Sequence, residues 1–212
     1  MSRRAAPAVS AADFLPERKT LASLRQAACD CRGCELYRHA TQTVFGEGSP
    51  HARLILIGEQ PGDREDIEGH PFVGPAGRLL DELLVAAGID RDQVYVTNAV
   101  KHFKWTLRGK RRLHKKPGSR EIAACRPWLS SEIEVIRPQG LICLGATAAQ
   151  ALLGPTFRIT RRRGEIMKSD QANWIMATYH PSAVLRAPDE ESRRQMREEL
   201  VGDLKSAAAA LV

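Results

Sequence analysis

Four short apolar runs, each closed by glycine or a polar residue and separated by segments of helical period, constrain this chain more than any other feature. They are residues 52–58 (ARLILIG), 94–100 (VYVTNAV), 140–145 (GLICLG) and Trp174–Thr178 (WIMAT). Continuous apolar runs of this length read as strands covered on both faces. The intervening residues 77–87, Ser119–Ile136 and 147–153 carry helical spacing; residues 16–28 do so before the first run, and 190–211 after the last. Strand and helix in alternation predict an α/β fold, a three-layer α/β/α sandwich around a mainly parallel four-stranded sheet. With 212 residues there is room for one such domain, expected over 16–212 behind a flexible arm at 1–15.

In parallel sheets of this kind, ligands gather beyond the carboxyl ends of the strands. The segments found there are polar and glycine-rich. The first run is followed by Glu59-Gln60-Pro61-Gly62-Asp63-Arg64-Glu65-Asp66 and then Pro71-Phe72-Val73-Gly74. The second ends in Asn98, Lys101 and His102, and the fourth in His180-Pro181-Ser182 with Arg186 nearby.

Charge is distributed unevenly. The formal net charge is +7, yet residues 101–126 hold ten Lys and Arg against the single acid Glu121, so the remainder of the chain is slightly acidic. A local basic patch is what a nucleic-acid backbone requires, and a solvated loop is its plainer reading. No stretch approaches the length of an apolar membrane helix and the first residues lack a signal-peptide core, so a cytoplasmic protein without a membrane partner is expected. In a reducing compartment the five cysteines suggest metal binding or catalysis more than disulfides. Cys29, Cys31 and Cys34 are clustered, whereas Cys143 lies inside an apolar run and reads as core.

The run GEQPGDREDIEGHPFVGPAG, the strand end VTNAVKHF, the segment LGATAAQALLG and the late HPS together resemble the iron–sulfur uracil-DNA glycosylases of family four. The likeness extends from about Cys31 to Arg186. Residues 109–115 (GKRRLHK) are more narrowly similar to the inserted KRRIH loop of the UdgX group, whose members attach covalently to uracil-containing DNA; Leu113 replaces the isoleucine. His102 stands where the wider family carries a cluster cysteine, a departure that also fits UdgX.

The resemblance implies a uracil-DNA glycosylase-like fold and a 4Fe-4S cluster held by Cys31, Cys34, His102 and Cys125. Thiolates and imidazole suit such a cluster. A zinc site and unmetallated core cysteines are the alternatives from spacing alone. Phe72 is implied to stack on uracil. Asn98 is implied to read the base, because its amide can accept from N3–H and donate to O4, whereas cytosine reverses both groups. His180 would donate to uracil O2 as negative charge develops there. Glu59 would supply negative charge near the sugar, and Gln60, Asp63, Asp66 and Arg112 complete the expected substrate-side set; for Asp63 and Asp66 ordering of the loop, for Gln60 orientation of neighbours, and for Arg112 locking of the loop are the other readings.

His114 would attack deoxyribose C1′ in place of water and stay attached. A conventional turnover glycosylase and a non-catalytic iron–sulfur DNA-binding protein are the competing readings. Uracil-containing DNA, single-stranded by preference, and a monomeric protein are expected.

Overall fold

The computed structural model describes residues 9–211. In chain order its elements are α1 (Leu21–Ala28), β1 (Glu47–Gly48), β2 (Leu54–Gly58), α2 (Asp63–Glu68), α3 (Pro75–Ala87), β3 (Val94–Asn98), β4 (Trp105–Arg108), β5 (Arg111–His114), α4 (Ser119–Ile136), β6 (Gly140–Leu144), α5 (Ala146–Leu153), α6 (Ile159–Arg162), β7 (Trp174–Thr178), α7 (Pro181–Leu185) and α8 (Glu190–Ala209), with short 3-10 turns between some of them. The sheet runs β1-β3-β2-β6-β7. The four expected strands are all present and mutually parallel. A fifth, the two-residue β1, adds to the edge antiparallel to β3, so the expected count of four is corrected to five. Two residues offered no run for the sequence to display.

Alternation along each strand divides the interior in two. Leu54, Leu56, Val94, Val96, Ile142, Leu144 and Met176 pack against α3, α7 and α8. Ile55, Ile57, Tyr95, Leu141, Cys143, Ile175 and Ala177 pack against α4 and α5. Each fully buried Leu or Ile contributes about 1.5–3 kcal/mol, so the two layers fix strand register strongly. Cys143 is one of these core residues, as its apolar surroundings in sequence suggested.

Most boundaries shift by a few residues, and three differences from the sequence reading have a clear local cause. The first helix begins at Leu21 because Thr20 and Ser23 form a reciprocal cap there. The supposed flexible arm at 1–15 includes a 3-10 helix at Ala11–Phe14, whose Ala11 is fully buried beside Leu24 and Trp128; residues 1–8 lie outside the described part. The basic stretch, read as a loop, contains a two-stranded hairpin of β4 and β5. Gly109 occupies the first central position of its turn with φ +61, a conformation glycine adopts without penalty. Its strands escaped notice because they bury no apolar face: Leu107 and Leu113 are exposed, as are Arg108 and Arg111.

Candidate active site

Register assembles the site. Pairing of Gly58 with Asn98 and of Leu144 with Thr178 brings the ends of β2, β3, β6 and β7 to one edge. Since β2 continues to β3 on one side and the chain crosses to β6 on the other, a crevice opens beyond β2 and β6. The resulting cleft encloses about 1030 Å³ and is lined by Glu59, Phe72, Asn98, His114, Thr147 and His180 among others.

Asn98 lies at the bottom, 3% exposed. Its backbone carbonyl accepts from Lys101 Nζ at 2.9 Å. Lys101 itself is fully buried and paired with Glu132 at 2.6 Å. Glu132 also accepts from Tyr95, Thr97 and the Gly46 N–H. A buried pair is stable only with its remaining polar atoms satisfied, as here, and the result is a rigid support under Asn98. The Asn98 side-chain amide makes no hydrogen bond among the described residues and faces the cleft. Gly58 is required next to it, because a Cβ there would stand 2.3 Å from Asn98 Oδ1 and 2.9 Å from Phe72 Cζ.

Phe72 adopts φ +58, a left-handed conformation that non-glycine residues seldom hold. Gly77 permits it: a Cβ at 77 would fall 1.5 Å from the Phe72 carbonyl oxygen. The ring lies nearly parallel to His180, at 6.1 Å between centroids.

His180 caps α7. Its Nδ1 accepts from the Ser182 N–H at 3.1 Å, and because a backbone amide can only donate, Nδ1 must carry the lone pair. The proton of the neutral ring therefore sits on Nε2. Burial, with the charges of Arg186 and His114 adding to it, pushes the His180 pKa down to about 4, so the ring stays neutral at ordinary pH.

The hairpin reaches the cleft from outside. His114, half-exposed, points Nε2 at Glu59 Oε1 across 3.3 Å and leans on the Phe103 ring. The other carboxylate oxygen of Glu59 accepts from Thr147 Oγ1. Arg112, two residues back on the same hairpin face, pairs with Asp63 and with Asp66, both at 2.6 Å. Its guanidinium also lies over Phe103 and Trp105. The fully buried Asp66 receives Thr41 N–H and Oγ1–H as well.

Gln60 holds the base of the hairpin from within: Nε2 donates to the carbonyls of Lys104 and Lys115, and Oε1 accepts from Lys104 N–H. Asp66 and Arg112 thus lie outside the cleft lining. Gln60 lines the cleft but has its amide spent on the hairpin, so all three tether the loop, the second of the two readings the sequence left open. Asp63 both lines the cleft and pairs with Arg112.

The expected cluster ligands converge only partly. Cys31 and Cys125 are buried in one apolar group with Trp128, and Cys34 packs against it. Cys125 accepts from Lys101 N–H and Cys31 from Trp128 Nε1–H, both at 3.2 Å, as sulfurs carrying negative charge would. Burial pushes the Cys125 thiol up to about 12 and raises Cys34 too, so ionised sulfurs here call for a compensating cation.

His102 borders a small cavity with Cys31. Thr43 spends its one hydroxyl proton on the Ala28 carbonyl, so it must accept from His102 Nε2, which leaves the Nδ1 lone pair for a ligand. Among the described residues no three His, Cys, Asp or Glu side chains surround a single ion. The donors of a multi-iron cluster stand further apart than those sharing one ion, so the donor chemistry remains compatible with such a group.

Thr147, Ser182, Lys101 and Glu132 were not singled out for these roles from the sequence. The only local signals were a threonine just after the glycine that ends a strand and a serine two residues after a histidine.

Among the described residues no helix is long and apolar enough to cross a membrane. The profile of the Uracil DNA glycosylase superfamily matches residues 45–205. A type-4 uracil-DNA glycosylase of Thermotoga maritima is 39% identical over 171 residues, covering 80% of this chain and 85% of that protein. One from Archaeoglobus fulgidus is 35% identical over 184 residues, covering 82% and 85%. A type-5 uracil-DNA glycosylase of Pyrobaculum aerophilum is 28% identical over 182 residues, covering 76% and 75%. Sheet topology, cleft and sequence agree, and the chain belongs to the uracil-DNA glycosylase superfamily.

Proposed function

We propose that this protein recognises uracil in DNA, cleaves its N-glycosidic bond and retains the deoxyribose on His114, as the UdgX-like hairpin implies. One observation carries the covalent reading: the hairpin sets His114 Nε2 opposite Glu59 at the mouth of a cleft whose floor presents an unengaged Asn98 amide. A uracil must leave the stack to enter. Asn98 would accept from N3–H and donate to O4, with Phe72 stacking on the base and His180 at its O2 edge.

As the C1′–N1 bond breaks, its electron pair leaves with uracil, and His180 Nε2–H donates to O2 to hold that charge. Positive character on the sugar faces the Glu59 carboxylate. Glu59 Oε1 can only accept, so the facing His114 Nε2 carries the ring proton; that proton passes to the Glu59 carboxylate, and the Nε2 pair so freed bonds to C1′, leaving the attached imidazole neutral. Neutral alkylated imidazole is a poor leaving group, which makes the adduct durable and the protein single-turnover.

Arg112, Asp63, Asp66 and Gln60 hold the hairpin closed for this step. Arg108, Lys110, Arg111, Lys115 and Lys116 are exposed around it and suit contacts with DNA phosphates, without base readout. An open single strand fits the half-exposed approach to His114, and a monomer suffices because one chain supplies every group named.

Cys31, Cys34, Cys125 and His102 Nδ1 would hold a 4Fe-4S cluster. Its chemistry at this position would be that of a structural brace, compensating the buried thiolates. Through Lys101, whose N–H meets Cys125 and whose ammonium meets Asn98, the same residues support the base-reading amide. Iron and sulfide analysis with visible absorption of anaerobically purified protein tests the assignment.

The covalent reading is tested by mixing protein with a uracil-containing single-stranded oligonucleotide and running a denaturing gel. A heat-stable, slow-moving band supports it. Free uracil and alkali-labile DNA without that band indicate a turnover glycosylase, and unchanged DNA indicates binding alone.

A further inference from the structure

Glu59 follows β2 directly, and a glutamate on such a segment can swing into solvent unless something fixes it. Thr147 does so from the neighbouring strand's helix: it is 3% exposed, lies in the first turn of α5, and donates its hydroxyl proton to Glu59 Oε2. Threonines inside helices commonly turn that proton back on a carbonyl of the preceding turn. So near the helix start that turn is absent, and the proton is available. The branched Cβ restricts χ1 and so aims it.

Gly145, the residue before α5, has no side chain to cap the helix and the first turn holds no acid, so Glu59 brings negative charge there through its bond to Thr147. Helix dipoles favour negative charge in this place. Gly145 also receives His180, whose Cβ would lie 3.2 Å from any Cβ added there. One turn of backbone therefore sets two reacting side chains.

We propose that Thr147 is a positioning residue for the reaction: it occupies Oε2 of Glu59 so that Oε1 stays directed at His114 and the sugar. The inference rests on the role given to Glu59 above. Without the hydroxyl, the carboxylate would rotate or accept a water, and the reacting geometry would be populated less often. Substrate binding would be unaffected, because Thr147 reads no part of the base in this scheme.

The test is a double-mutant cycle with a uracil-containing single-stranded oligonucleotide, measuring single-turnover uracil release, adduct formation and oligonucleotide Kd. Thr147→Val is expected to slow both reactions about tenfold with unchanged Kd, the loss of one hydrogen bond to a charged group. Thr147→Ser should restore the rate, and Thr147→Val added to Glu59→Gln should cost nothing further. If the valine protein is unfolded by circular dichroism, Thr147→Ala takes its place.

Wild-type rates in the valine variant overturn the proposal. So does a serine variant as slow as valine, or an undiminished loss in the Glu59→Gln background. Uracil release without an adduct in the wild type removes only the His114 reading, and the cycle is then scored on release. A wild type that does neither overturns both.

Discussion

The floor of the cleft and the hairpin that overhangs it are built by opposite means. Asn98, His180 and Glu59 stand at strand ends whose register is fixed by two apolar layers, and each has close polar or steric support beneath it. The hairpin has two four-residue strands, exposed leucines at 107 and 113, and no apolar layer of its own. It is held by side-chain tethers: Gln60 at its base, Arg112 on Asp63 and Asp66, Lys104 on Glu121 and Trp105 on the His39 carbonyl. The proposed base-reading amide, which needs a fixed pattern of donors and acceptors, resides on the strongly supported part. The proposed nucleophile resides on the part held only by side-chain tethers.

That contrast can be broken most sharply at the hairpin. Replacing His114 with Ser should abolish the band on a denaturing gel while uracil is still released, now with turnover. Persistence of the crosslink in this variant would falsify the assignment.

Arg112→Ala should come next. It leaves Asp66 buried without its cation, so adduct formation should fall about a hundredfold and stability by about 3 kcal/mol. Arg112→Lys should restore only part of either, because one ammonium cannot span two carboxylates as a guanidinium does. Chemical denaturation and single-turnover kinetics would read the two effects, and an unchanged adduct rate would show that the hairpin needs no lock.

On the floor, Asn98→Ala should reduce the preference for uracil over cytosine by about tenfold to a hundredfold, the range set by one unpaired buried polar group. Competition between the two oligonucleotides measures it. Gln60→Ala should have a smaller effect, a roughly fivefold slower adduct at unchanged base preference, since it loosens only the hairpin base. A change in selectivity instead would place Gln60 on the floor after all.

On uracil release the smallest expected effect is with pH. His180 has a pKa pushed down from 6.5 to about 4, so uracil release should show no limb from this residue near neutrality. The unfolded chain would bind a proton below pH 6.5 that the folded protein refuses until about 4. Stability contributed by the neutral ring is therefore complete above that window and falls with acid through it. Comparing urea unfolding of wild type and His180→Gln across the window checks the sign.

Much of this was legible in the chain. The four central strands, the long helices and the places beyond the strands where polar residues gather followed from hydrophobic period and glycine. They did so because a doubly covered parallel strand has to be apolar throughout. The motifs around Glu59, Asn98, His114 and His180 were readable through their resemblance to a family, since each residue taken alone fits a cap, a turn or a solvated loop.

The rest depended on distance between remote segments. The resemblance suggested that an arginine locks the loop, but which arginine and onto which acids is invisible until Asp66 is seen buried under Arg112 and the Gln60 amide between Lys104 and Lys115. Thr147 gave almost no local sign of its role because its partner lies 88 residues away.

Sequence by itself determined the layers and the residue types at the strand ends, since burial and period are local properties of the chain. Only the tertiary structure decided which of those side chains face the cleft and which hold others in place. That decision is made by strand register and by the crossing from β3 to β6, which bring together groups far apart in sequence.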